Sequence, residues 1–170
     1  MGFYFSKIEM KNKRNYIKQS ISWSWVMIWL LVLVILYYLM NNYIRERNLI
    51  PKVCIENKCF TVEIARTSEE QQKGLMNRET MDLNQGMVFV FPKSDIHNFW
   101  MKNTLIPLDM IWVDDQNQVV RVVTAQPCTQ DPCKIYKPAT LAKYVIEINA
   151  WVAEKYEIRE WSMVTFRNIE

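Results

Sequence analysis

Between His97 and Asp109 the chain reads His-Asn-Phe-Trp-Met-Lys-Asn-Thr-Leu-Ile-Pro-Leu-Asp, with polar and titratable groups set into its most hydrophobic part. On an extended backbone, His97, Phe99, Met101 and Asn103 share one face and Asn98, Trp100 and Lys102 the other, because side chains alternate along a strand. A lysine buried here needs a carboxylate, and Asp109, across the Pro107 bend, is the natural partner. Two kinds of chemistry could follow. His97 with Asp95 or Asp109 could serve as base and orienter, with Lys102 as a perturbed amine, in an envelope enzyme of hydrolase type. Alternatively, Trp100, Trp112 and Tyr136 could line a pocket in which Arg78, Lys102 and Asn103 offer polar contacts to a small anionic or carbohydrate-like ligand.

The binding reading is preferred, with His97, Thr104 and Asp109 completing the candidate set. The chain has one histidine, no Gly-x-Ser-x-Gly elbow and no His-Glu-x-x-His string, so the catalytic inventory is thin. A plainer assignment competes with both. Lys102 would snorkel to solvent, Asn103 and Thr104 would hydrogen-bond the turn, and Trp100 would be core.

The four cysteines fall in two pairs of equal spacing, Cys54-x4-Cys59 and Cys128-x4-Cys133. Val53-Cys54-Ile55 and Lys58-Cys59-Phe60 read as strands around a two-residue turn at Glu56-Asn57, which sets Cys54 opposite Cys59 at disulfide distance. Cys128 and Cys133 lie among three prolines, where a bridge would fix a loop. Local pairing is the expectation, although four cysteines allow three connectivities. A zinc site ranks below disulfides, since Cys-x4-Cys is a loose zinc spacing and one histidine is at hand. No metal site is therefore expected.

Of 170 residues, half are hydrophobic and 23% charged, which suits one core-forming domain with residues left over and excludes a disordered chain. Three glycines cannot build a phosphate-cradling loop or a dinucleotide fingerprint, so no nucleotide cofactor is expected. The net charge of +3 is unevenly spread. Residues 1–44 hold five basic groups and one acid, leaving 16 basic and 17 acidic groups in the remainder. That remainder lacks the basic face a nucleic-acid partner requires.

The basic segment 1–20 precedes Ile21–Met40, an uncharged run about 30 Å long as a helix, which matches a bilayer core. Trp23, Trp25 and Trp29 lie toward one end and Tyr37, Tyr38 and Tyr43 toward the other, where amphipathic rings meet headgroups. Five basic residues before the run against three after it favour a cytoplasmic N-terminus and an extracytoplasmic domain. The run is long for a signal peptide and ends without a small-residue cleavage site, so it is expected to stay as the anchor. Residues 41–52 then read as a short linker.

The domain, 53–170, opens with the cysteine hairpin. Thr67-Ser-Glu-Glu70 is a capping box for a helix through about Leu75. Gly86–Phe91 and Leu108–Val113 read as strands buried on both faces, the first ended by Pro92. Asp114–Asn117 turns the second back into Gln118–Thr124. Tyr144–Ile148 is a further strand, Asn149 could cap a helix over 150–157, and a last strand lies near 163–166. About seven strands against two short helices give an α+β domain, mainly antiparallel β, as a sandwich or partial barrel.

Several strings together resemble the uncharacterised prokaryotic family called domain of unknown function 192. They are Gly74-Leu-Met-x-Arg78, Gly86-Met-Val-Phe-Val-Phe91, Phe99-Trp-Met-Lys-Asn-Thr104 with Ile106-Pro-Leu-Asp109, Pro132-Cys133 followed by Tyr136, and Tyr144-Val-Ile-Glu-Ile148. The resemblance covers about residues 60–166. It implies a compact β-rich domain, often exported or membrane-attached, and no particular activity. The family usually places a glycine near 149–151 and Gly-Asp near 160–161, and this chain has neither, a departure that bears on its C-terminal turns. Cys54 and Cys59 lie outside the common core.

Overall fold

The protein is described by a computed structural model that covers the backbone of residues 2–169 and the side chains of residues 23–169. It comprises two compact units, residues 1–49 and 50–170. The first is one helix, α1 (Gly2–Leu49). Within it, Trp23–Leu49 is long and apolar enough to cross a membrane, and none of its most apolar stretch is buried against protein. A single span and a signal sequence both present such a helix.

The expected linker 41–52 is corrected here. Helix continues to Leu49, because no glycine or proline interrupts residues 41–49. Pro51 stops it, since the residue before a proline is pushed out of the helical region.

The second unit contains β1 (Lys52–Ile55), β2 (Lys58–Ala65), α2 (Ser68–Lys73), β3 (Gln85–Asp95), β4 (Phe99–Trp100), β5 (Leu108–Val113), β6 (Val119–Ala125), β7 (Ile135–Tyr136), β8 (Ala142–Asn149), α3 (Val152–Lys155) and β9 (Val164–Arg167). Seven strands form one sheet in the order β6-β5-β8-β3-β2-β1-β9, and β4 pairs with β7 in a separate ribbon. All pairs are antiparallel except β2 with β3, whose connection carries α2. The sheet curls into a half-barrel. Its edges meet where Gln118 bridges Met163, with Val164 N–H donating to the Asn117 carbonyl at 2.8 Å.

One core fills the inside of the curl, drawing Val53, Ile55, Val113, Val119 and Val164 from both edges together with Val88, Ile111 and Ile146. A second core lies on the outer face, where Met87, Phe89, Met110, Trp112 and Val145 are covered by Leu75 and Met101. Central strands are thus buried on both sides, which explains the unbroken apolar reading of β5.

Local chemistry accounts for most boundaries. Cys54 faces Cys59 and Ile55 faces Lys58, with Glu56 at φ 49 making the turn. The Asp114 carboxylate accepts from the N–H groups of Gln116 and Gln118, closing the β5–β6 hairpin. Thr67 accepts from Glu70 N–H while the Glu70 carboxylate accepts from Thr67 N–H, the reciprocal cap of α2. Those backbone hydrogen bonds hold the Glu70 carboxyl below its ordinary value. Thr67→Ala should therefore cost about 1 kcal/mol, read as a lower urea midpoint at unchanged slope.

Two expectations need correction. Pro92 does not end its strand: β3 runs to Asp95, and the proline, which has no N–H to donate, falls where the β3–β8 register breaks between Val90 and Asp95. Asn149 does not cap the following helix. Its amide donates to the Met81 and Asp82 carbonyls, and the capping position is Trp151, at φ 65 with no side-chain cap. Trp161 likewise sits at φ 75. The left-handed backbone that a glycine would accept without strain is adopted here by two exposed tryptophans.

Candidate functional site

The segment 97–109 crosses the outer core, and its side chains take separate partners. Met101 is fully buried, His97 and Phe99 are half-buried, and Asn98 and Trp100 are exposed, so the expected alternation holds as far as Met101. The His97 ring stacks on Phe91 with centroids 3.5 Å apart, and its carbonyl accepts from the Trp112 indole N–H at 3.0 Å. Desolvation lowers the His97 pKa, against smaller opposing effects of the Lys93 carbonyl and Asp95. Asn103, at φ 56, turns the chain and offers its carbonyl to Asn77 N–H at 2.8 Å. Thr104 is buried beneath that turn.

Lys102 does not meet Asp109. Its ammonium lies 3.4 Å from Asp131 and 5.7 Å from the centroid of Trp100, on a side chain 42% exposed. Asp109 is wholly buried, accepting from the Thr124 hydroxyl at 2.6 Å and from Ala153 N–H at 2.8 Å. It thereby caps α3 from another strand, in place of the absent local cap. The expected Lys102–Asp109 pair fails for a physical reason: a carboxylate already satisfied by a hydroxyl and a backbone amide needs no cation.

The aromatic pocket is not assembled either. Trp112 is a core side chain with no exposure, Tyr136 sits half-buried on the β4–β7 ribbon, and Trp100 is exposed beside a shallow cleft with Gln71, Phe91 and Asn98. Residues 97, 102 and 109 likewise do not converge as an acid–base set.

What the fold does bring together is Arg78 with residues not singled out beforehand. A cleft of about 400 Å³ opens between the end of β2 and the turn after α2, with Glu63, Glu70, Lys73, Gly74, Arg78 and Met87 in its lining. Arg78 is held at its rim by Glu63, 2.7 Å away. Behind Gly74 lies the carboxyl of Glu147: a β-carbon built on Gly74 would stand 3.9 Å from its Oε2. Glu147 faces Met87 on β3 and Met110 on β5 in register, so the three occupy one row on the outer face.

Glu147 is 4% exposed and makes no hydrogen bond or ion pair among the described residues. Burial alone pushes its pKa up to about 8, so at neutral pH it is a carboxylic acid with a proton to donate. Both neighbouring glycines are committed. Gly74 adopts φ 45, and a β-carbon on Gly86 would fall 2.5 Å from the Glu147 carbonyl oxygen. A sequence signal for Glu147 existed in Tyr144-Val-Ile-Glu-Ile148, because a strand apolar on both faces has no solvent side for a carboxylate.

The cysteines pair locally, Cys54 with Cys59 at 3.9 Å between Cα atoms and Cys128 with Cys133 at 5.6 Å. Cys128, Cys133 and Asp131 bring potential ligand atoms within 4.8 Å of one another, but the two sulfurs are bonded to each other and are not thiolates.

Residues 52–166 match the family described as DUF192, Uncharacterized ACR, COG1430, so the match starts before residue 60 and takes in Cys54 and Cys59, which were expected to lie outside it. The chain belongs to this family. No curated protein matches it. Among solved structures, a protein of unknown function from Novosphingobium aromaticivorans is similar at 34% identity and a TM-score of 0.63, covering 67% of this chain and 83% of that one. A proposed transcription regulator from Sinorhizobium meliloti is similar at 25% identity and the same TM-score, covering 68% and 92%. Of the DUF192 strings, Gly74–Arg78 and Met87 line the cleft and Glu147 lies behind Gly74, whereas the Phe99–Thr104 string packs the outer core and forms the turn that accepts from Asn77 N–H.

Proposed function

We propose that this DUF192 protein is a binding module held at the extracytoplasmic face of a membrane by residues 21–40, and that its ligand site is the cleft over Glu147. The observation that carries this reading is a buried, unpartnered carboxylic acid packed directly behind Gly74 and beside Met87, two residues that line an open cleft. Buried polar groups are nearly always hydrogen-bonded, and an exception packed behind a cleft wall is a place for a ligand to supply the partner. Glu147 would donate to an acceptor on the ligand, while Glu63 holds Arg78 and backbone N–H groups occupy Glu70, which leaves Lys73 to meet an anionic end. A small anionic compound fits this better than a carbohydrate, since no exposed aromatic face lines the cleft.

Membrane attachment is supported by the apolar helix and the excess of basic residues before it, and the extracytoplasmic side by two disulfides, which persist in oxidising compartments. The hydrolase-type alternative gains nothing from the geometry, because His97, Lys102 and Asp109 have different partners.

The test is native mass spectrometry of the full chain released from membranes at pH 7, compared with Glu147→Leu. A small-molecule adduct on the wild type and none on the folded variant is expected. An unliganded wild type that also takes up nothing from a panel of small carboxylates and phosphates would remove the proposal, as would equal uptake by Glu147→Leu.

A further inference from the structure

A separate cleft of about 340 Å³ opens on the opposite side of α2 from the Arg78 cleft. Ser68, Gln71 and Gln72 stand at i, i+3 and i+4 and so share the helix face that lines it, whereas Glu70 and Lys73 line the other cleft. Phe91, Asn98, Phe99 and Trp100 form its remaining wall. The described residues that line it carry no charge.

Its three aromatic rings differ in what they are free to do. Phe91 stacks on His97, and Phe99 packs edge-on against Phe89 and Trp112, so both belong to the outer core. Trp100 is 47% exposed, and among the described residues its ring meets no other ring and its indole N–H no acceptor. The Lys102 ammonium approaches that ring, 5.7 Å from the centroid, but it pairs with Asp131 and lies outside the lining. The amides are also open. Gln71 spends its N–H groups on the Arg66 and Val90 carbonyls, which leaves its Oε1 as an acceptor, and neither Gln72 nor Asn98 has a side-chain partner among the described residues.

We infer that this cleft binds a neutral saccharide of one or two rings, stacked on Trp100 and hydrogen-bonded by Gln71, Gln72 and Asn98. A pyranose has an apolar face of C–H groups, which the electron-rich face of an indole attracts, and a rim of hydroxyls that each donate and accept. Carboxamides match that rim because they too both donate and accept, without a charge that would select an ion. An apolar peptide side chain would cover the same amides without giving them partners. The volume is at the lower end of the ~300–1,000 Å³ of ligand pockets, which limits the occupant to one or two rings. This site uses no residue of the Arg78 cleft and stands whether or not Glu147 meets a ligand.

The test is saturation-transfer NMR of glucose, mannose, galactose, N-acetylglucosamine, cellobiose and chitobiose with the full chain in phosphocholine micelles, whose headgroups carry no sugar. The wild type should transfer saturation to the C–H protons on one ring face of at least one of these sugars. Trp100→Ala should weaken that binding about tenfold. Gln72→Ala/Asn98→Ala, at two exposed positions, should weaken it without moving the thermal midpoint. Trp161→Ala, which removes an exposed tryptophan elsewhere, should bind as the wild type does. Transfer to none of the sugars overturns the site, as does binding that Trp100→Ala leaves unchanged or that Trp161→Ala loses equally. Transfer to a peptide rich in Leu and Phe, lost in Trp100→Ala and matched by no sugar, also overturns it by giving the cleft to a protein partner.

Discussion

Glu147→Gln is expected to stabilise the protein by several kcal/mol at pH 9 and to change it little at pH 4. Burial raises the Glu147 carboxyl from 4.5 to about 8, so the folded state keeps a proton that the unfolded state has already lost. Where the native state binds more protons, stability falls as pH rises. The contribution is intact below 4.5, declines between 4.5 and 8, and is gone above 8. At 1.36 kcal/mol per unit the full loss is of the order of 5 kcal/mol.

Glutamine has nearly the same shape and cannot ionise, so its stability should run flat across that window. Urea unfolding at pH 4, 7 and 9 measures the difference. Parallel curves for the two proteins would mean that Glu147 ionises freely, and the unpartnered acid would be withdrawn.

The second large effect belongs to Asp109. Asp109→Ala leaves the Ala153 N–H without its acceptor in a buried site, while the exposed Thr124 hydroxyl can turn to water, a loss of about 2 kcal/mol. Asp109→Asn retains an acceptor and should recover part of it. Lys102→Met removes only an exposed pair, worth less than about 1 kcal/mol. Because the two residues share no contact, the double variant Lys102→Met/Asp109→Ala should equal the sum of the singles to within about 0.5 kcal/mol. A coupling energy above 1 kcal/mol would restore the ion pair that the structure separates.

The strands were legible because their signals are local. Each of the seven expected strands appears in the main sheet, down to the Cys54–Cys59 register, since turn residues and buried apolar runs leave few alternatives. The half-barrel follows from the same count. The β4–β7 ribbon was invisible: it is two residues against two, and Ile135–Tyr136 finds Phe99–Trp100 only because the loop closed by Cys128–Cys133 delivers it there.

Of the cleft proposed as the site, only Arg78 stood among the candidate residues read from the sequence. The richest polar string, 97–109, was given chemistry that the fold spends otherwise: Asp109 caps a helix, Asn103 makes a turn and Lys102 pairs with Asp131. For Glu147 the sequence signals a carboxylate within an apolar strand but not its lack of a partner, because that isolation comes from elements distant in sequence, the Gly74 turn and the methionines of β3 and β5. Periodicity shows which face a residue occupies, not whether a partner meets it there.

The most direct test of Glu147 as a neutral acid reserved for a ligand is a carbon-13 NMR titration of its carboxyl in the full-length protein, with and without a panel of small anionic compounds. Titration near pH 8, moving on addition of a compound that Glu147→Leu does not bind, is the expected result. Titration near 4.5 with no response to any compound would contradict it.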